Sequence, residues 1–97
     1  MKQGAFAIDV LGMLGNDYEA PHTVAGDLSL ELGRPVSEAE VRAALVELSL
    51  KGWAQGFRFE AASRQYVEIE AAEAAQEQSA WFKATKKGMA AYEDTAS

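Results

Sequence analysis

The chain has 97 residues, 48% of them apolar, which predicts one small domain with a single hydrophobic core rather than a disordered chain. It has no cysteine and one histidine, which excludes disulfides, thiolate zinc sites and a histidine-rich metal cage. Fifteen acidic residues against nine Lys and Arg give a formal charge of −6, which argues against an indiscriminate nucleic-acid coat protein. We find no stretch apolar enough for a membrane helix and no secretory signal, and therefore expect a cytoplasmic protein.

The first two predicted helices cover residues 5–14 and 23–32, where apolar residues recur at helical spacing. Gly15 provides the expected stop of the first helix. Thr23 is the expected N-cap of the second helix, and Gly33 is the first residue of the turn that ends it.

A third helix is predicted over residues 37–51. Ser37 and Glu40 have the spacing of a capping box, in which the hydroxyl and the carboxylate each bond the other residue's amide. Lys51 in the last turn and Gly52 after it are typical of a helix C-terminus. The expected buried stripe of this helix is Val41, Ala44, Leu45 and Leu48.

After Gly52 the apolar period approaches two, which predicts a β-structured wing over residues 53–84, either as one long hairpin or as three short strands. Within it, residues 71–78 are rich in alanine and acidic or amide side chains, and we expect an exposed loop or a frayed helical turn there. Thr85 is the expected cap of a last helix over residues 86–94.

The order of these elements predicts a mainly α fold with a small antiparallel β-hairpin, in the α+β class. Two amphipathic helices joined by a short glycine-containing turn form a helix-turn-helix. A hairpin directly after the third helix is the wing of a winged helix-turn-helix. This arrangement accounts for nearly all of residues 1–97 as a single domain, with no linker or internal repeat.

Several short segments resemble those of a known protein family. These segments are residues 32–37, 51–53 and 81–88, together with the apolar residues Val41, Leu45 and Leu48. In these segments the chain resembles the PadR-like winged-helix transcription regulators, over about residues 5–94. The resemblance implies a homodimer that binds double-stranded operator DNA. It places the third helix in the major groove and the wings on phosphates.

On the DNA-binding interpretation, the third helix contributes the residues that face the bases, and these are Ser37, Glu38, Ala39, Arg42, Ala43 and Val46. Arg42 has the donors to bond guanine. The residues expected to face phosphates are Arg34, Arg58, Arg64, Lys83, Lys86 and Lys87. For each of these residues the plain alternative is an ordinary solvated side chain.

A second interpretation is a winged-helix protein–protein interaction module that does not bind DNA. The family's wing is commonly rich in Arg and Lys, whereas this chain has carboxylates there, and they are Glu68, Glu70, Glu73 and Glu77. Phosphates repel such a wing. The weakly polar outward strip of the third helix also resembles a protein-contact surface. On this interpretation the helix and the wing contact a basic partner.

Other candidate sites are weaker. His22 is best interpreted as a surface or capping residue, and the pair Glu68 and Glu70 as a solvated strand face. No residues accompany Ser37 to complete a catalytic triad, so we predict no enzyme, no metal and no cofactor. Four aromatic residues could stack on nucleic-acid bases, but such residues more often pack in the core or against the sheet. They are Trp53, Phe57, Trp81 and Phe82. The terminal helices are the expected surface of a homodimer with C2 symmetry.

Overall fold

The computed structural model describes residues 5–15 and 17–96. Five helices and three strands within them form an α+β architecture that is compatible with a small winged-helix-like fold. In chain order these elements are α1 (Ala5–Leu14), α2 (Pro21–Leu32), α3 (Glu38–Leu50), β1 (Ala54–Glu60), β2 (Gln65–Ile69), α4 (Ala71–Gln76), β3 (Trp81–Ala84) and α5 (Lys86–Ala96).

The first two helices end where the sequence predicts, but the second begins earlier. Gly15 follows α1 with φ of 57°, and Gly33 follows α2 with φ of 67°, in the left-handed region that glycine adopts most easily. Thr23 is not the N-cap of α2, because Pro21 starts this helix and Ala20 is the residue before it. The fixed φ of proline suits the first helical position, so the helix begins there without a side-chain cap.

The third helix is confirmed in detail. The Glu40 amide donates to Ser37 Oγ at 3.1 Å, and the Ser37 amide donates to Glu40 Oε1 at 3.1 Å, which completes the predicted capping box. Lys51 is the C-cap, and Gly52 follows with φ of 79°. Its buried residues are the predicted Val41, Ala44, Leu45 and Leu48.

The predicted wing is a three-stranded antiparallel sheet in the order β2-β1-β3. β1 lies in the centre, so that Phe57 pairs with Glu68 of β2 on one side and with Trp81 of β3 on the other. Of the two arrangements left open by the sequence, three short strands is therefore the correct one. The α1–α2 connection joins the outer edge of β3, where Glu19 and Phe82 exchange backbone hydrogen bonds of 2.8 and 2.9 Å.

Of the two alternatives expected for residues 71–78, an exposed loop or a frayed helical turn, the structure shows a short helix, α4, which is packed rather than frayed. Ala74 is fully buried and lies against β1, since a Cβ added to Gly56 would be 3.0 Å from the Ala74 Cβ. The helix packs on α3 as well as on β1. One buried alanine among exposed alanines leaves no apolar periodicity, which is why the sequence pattern did not reveal this contact.

The core lies between the helices and one face of the sheet. Its largest fully buried side chains are Phe82, Leu11, Leu14, Leu28, Leu45, Leu48, Val10, Val24, Val41 and Pro21. Thr85 caps α5 as predicted, since the Gly88 amide donates to Thr85 Oγ1 at 2.9 Å. α5 continues to Ala96 rather than ending at residue 94, and its Tyr92 lies against Gly12 of α1.

Candidate functional site

The solvent-facing side of α3 carries an apolar strip. We define the outer strip as the set Ala39, Ala43, Val46 and Leu50, which recur at helical spacing opposite the buried side. The predicted outward positions of Ala39 and Ala43 are confirmed, and Val46 is half-buried. The sequence prediction missed Leu50, whose residue surface is 74% exposed. The centre of this strip therefore holds no charged residue.

Arg42 does not extend freely into solvent. Its side chain is 18% exposed, and its guanidinium donates to the carbonyl oxygens of Glu77 and Gln78, each at 2.8 Å. A third hydrogen bond, of 3.2 Å, goes to Glu38 Oε2 one turn earlier on α3. The prediction of an outward Arg42 is wrong in this respect, because the α4–β3 connection lies beside α3 and provides two fixed acceptors.

The remaining polar residues at the start of α3 are also engaged. Ser37 Oγ accepts the cap hydrogen bond and donates to Glu40 Oε1 at 3.3 Å. Arg34 lies 3.8 Å from Glu40 Oε2 and donates to the Pro35 carbonyl at 3.0 Å. The base-facing and phosphate-facing groups predicted at this end of α3 thus bond carboxylates and backbone of the same chain.

The other predicted phosphate contacts are distributed between the hairpin and the β3–α5 junction. Arg58 forms an ion pair of 3.6 Å with Glu60, and Arg64 is exposed in the hairpin turn. Lys83 lies over the ring of Tyr18, 4.8 Å from its centroid. Lys86 and Lys87 are exposed in the first turn of α5, and Lys87 is near Gly52 at the end of α3.

The four aromatic residues considered as a stacking platform do not share one surface. Phe82 is fully buried on the helix side of the sheet, and Phe57 is 8% exposed on the opposite side, so packing is confirmed for these two. Trp53 lies beneath Lys51, whose Nζ is 5.2 Å from the ring centroid. Trp81 instead meets Tyr66, a residue that the sequence reasoning did not select.

An acidic group lies at the α1–α2 connection. Burial raises the pKa of the Glu19 carboxyl, and the negative charges of Asp27 and Asp17 raise it further. His22 is exposed on the same stretch of chain. Among residues 5–15 and 17–96, no group of three His, Cys, Asp or Glu side chains is arranged to hold a metal ion.

Comparisons with known proteins leave the family undecided. No family model, curated protein or solved structure matches this chain. The described part of the chain also holds no helix with the length and apolar character needed to cross a bilayer.

Proposed function

We propose that this chain is a winged-helix protein-interaction module whose contact surface is the outer strip of α3. The fold assignment is supported by the order of elements: α2, a short turn and α3 form a helix-turn-helix, and the β1–β2 hairpin follows as the wing. Fold alone does not separate DNA binding from protein binding, so the choice depends on the side chains of α3.

The observation that carries this proposal is the state of Arg42. A helix that reads base edges needs side chains with free donors, and Arg42 is the cation that α3 offers near its N-terminus. Its guanidinium already bonds Glu77, Gln78 and Glu38. What α3 presents to a partner is instead the apolar outer strip, with Leu50 most exposed among its larger side chains.

The surroundings of the outer strip indicate the chemistry of its partner. Glu38 and Glu40 lie in the first turn of α3, and Glu73 is exposed on the neighbouring α4. An apolar centre with a charged rim is the usual composition of a protein–protein contact. With a net charge of −6, the complementary partner is a protein surface that places an apolar patch inside a basic rim.

The test is fluorescence anisotropy of labelled, pooled genomic duplexes titrated with the folded protein, beginning at about 50 mM salt, where phosphate contacts are strongest. We expect no binding. Binding that weakens steeply as salt is raised would overturn the proposal.

A matched pair of variants tests the surface itself. Leu50→Lys places a charge on the outer strip. Leu30→Lys makes the same change at another exposed leucine, on α2, where the residue is 86% exposed. Each form of the chain is used as bait for quantitative affinity capture from the source cells. Partner proteins that bind the wild type and Leu30→Lys should not bind Leu50→Lys. Equal retention by both variants would remove α3 from the contact surface.

A DNA-binding regulator is the second candidate, and the observation in its favour is the exposed pair Lys86 and Lys87 near the end of α3. On this alternative the same anisotropy experiment detects salt-dependent binding. The double variant Lys86→Glu, Lys87→Glu would then weaken all duplex sequences alike and flatten the salt dependence.

A further inference from the structure

The sheet has a second face that no helix within residues 5–15 and 17–96 covers. Phe57, Phe59, Tyr66 and Trp81 point to the side opposite the core, as their pairing register requires. Tyr18, from the α1–α2 connection, lies across this face and stacks on Tyr66 with ring centroids 3.8 Å apart and planes 9° apart. It also meets Phe57 edge-on at 4.9 Å. The outer face of the sheet is therefore an aromatic cluster separate from the core.

The rings of this cluster differ in their exposure to solvent. Tyr18 covers Phe57, which is 8% exposed, whereas Phe59 remains 47% exposed. We define the aromatic groove as the depression of about 400 Å³ lined by Phe59, Tyr66, Ser79 and Trp81. The ring of Tyr66 meets Phe59 at 63° and Trp81 at 80°, so the rings form walls rather than one flat platform.

The groove offers apolar walls and hydrogen-bond donors. Neither the indole N–H of Trp81 nor the hydroxyl of Tyr66 is paired with another described residue. Beneath the groove, β1 pairs with β2 as far as Glu60 but with β3 only as far as Phe57. A ligand that fits these walls and donors brings apolar rings and acceptor carbonyls. A polyproline II segment has this composition, because proline lacks the amide hydrogen and leaves its carbonyl free.

The charge beside the groove adds a second requirement. Glu68 is exposed on the same face of β2 as Tyr66. Glu77 reaches the other side, where its Oε2 accepts a hydrogen bond of 2.7 Å from Ser79 Oγ. Carboxylates on two sides attract Lys or Arg in the ligand and repel the phosphates of a single-stranded nucleic acid.

We propose that the aromatic groove binds a proline-rich segment of a partner protein that carries Lys or Arg next to its prolines. The prolines lie between Phe59, Tyr66 and Trp81, with their carbonyls toward the Trp81 indole and the Tyr66 hydroxyl. The basic side chains face Glu68 and Glu77. This site is on the sheet and uses none of the residues of the outer strip, so it stands whether or not that strip binds a protein.

The experiment is a titration of the ¹⁵N-labelled chain, followed by the indole cross-peak of Trp81 in two-dimensional NMR. The probe is a synthetic peptide of consecutive prolines with an arginine at each end. A control peptide keeps the arginines and replaces the prolines by glycine and serine. We expect a saturable shift of the Trp81 indole with the proline peptide alone, and weaker binding as salt is raised.

Three variants locate the site. Phe59→Ala removes an exposed wall and should weaken binding by about tenfold, the loss typical of an important interface aromatic. Glu68→Gln should reduce the salt dependence of binding with little effect on folding, because Glu68 is exposed. Leu30→Ala, at an exposed leucine on α2, is the matched control and should bind as the wild type does.

Four results would overturn the proposal. Equal shifts from the control peptide would mean that arginine charge alone is recognised. Saturation by an oligothymidylate instead of the peptide would assign the groove to nucleic acid. A dimer in sedimentation, together with a Trp81 indole peak that does not respond to the peptide, would mean that a second copy of the chain covers the groove. No response from a monomeric, folded protein would show that the groove does not take proline.

Discussion

At the scale of single residues, Gly88 is the described glycine that leaves the least room for a side chain. It lies in the first turn of α5, where an added Cβ would collide with the backbone oxygen of Trp53 and lie 2.8 Å from its carbonyl carbon. This close approach exists because Thr85 holds the start of α5 against the β1 end, with its Oγ1 donating to the Gly52 carbonyl at 2.7 Å.

Gly88→Ala should therefore lower the free energy of unfolding by about 1–3 kcal/mol, the usual cost of overpacking, because backbone atoms must move. Gly26→Ala is the matched control. Gly26 is inside α2, and an added Cβ there would meet nothing within 4 Å beyond its chain neighbours and its own helix backbone, so alanine should stabilise the protein by about 1 kcal/mol. Urea unfolding of the two variants measures both effects. A neutral Gly88→Ala would contradict the close approach of α5 to Trp53.

At the scale of elements, the least expected feature is the docking of α4 on α3. The helix is held by the hydrogen bonds that Arg42 of α3 donates to the Glu77 and Gln78 carbonyls and by the burial of Ala74. A six-residue helix has little stability alone, so these contacts fix its position. Arg42 thus has a structural role in the same place where the sequence suggested a DNA contact.

We predict that Arg42→Ala lowers the free energy of unfolding by roughly 1.5–3 kcal/mol, because charge-assisted hydrogen bonds to two carbonyls and a carboxylate are lost. Arg42→Lys should recover only part of this, since an ammonium cannot reproduce the planar fork of donors. Urea unfolding with Lys86→Ala as an exposed control checks the values. Hydrogen exchange should locate the loosening in residues 71–80, and uniform loosening would argue against a local role.

The docking of α4 also shows which contacts could not be predicted from the sequence. The capping box of Ser37 and Glu40 and the glycine after each of the first three helices are local signals, and they predicted these helix ends correctly. The partners of Arg42 are 35 and 36 positions away, so helical geometry alone placed its side chain in solvent. Tyr18 and Tyr66 are far apart in the sequence and stack on each other only in the folded chain, so the local pattern did not reveal the aromatic cluster.

At the scale of the whole molecule, the two functional proposals use different surfaces. The outer strip lies on α3, and the aromatic groove lies on the sheet face that points away from the core. A third surface remains at the terminal helices. α1 and α5 pack on each other through Gly12 and Tyr92, so their outer sides form one composite surface.

We predict a C2 homodimer through this composite surface at concentrations of about tens of micromolar. Ala90 is exposed on α5 beside Met89, in a groove that Lys83, Lys86 and Glu93 also line, so Ala90→Arg should place a further cation in the interface without disturbing the contacts of Tyr92. Ala61→Arg, in the exposed hairpin turn, is the matched control. In sedimentation velocity the wild type and Ala61→Arg should be dimers and Ala90→Arg a monomer. A monomeric wild type would reject the dimer, and a dimer broken only by Ala61→Arg would move the interface to the hairpin.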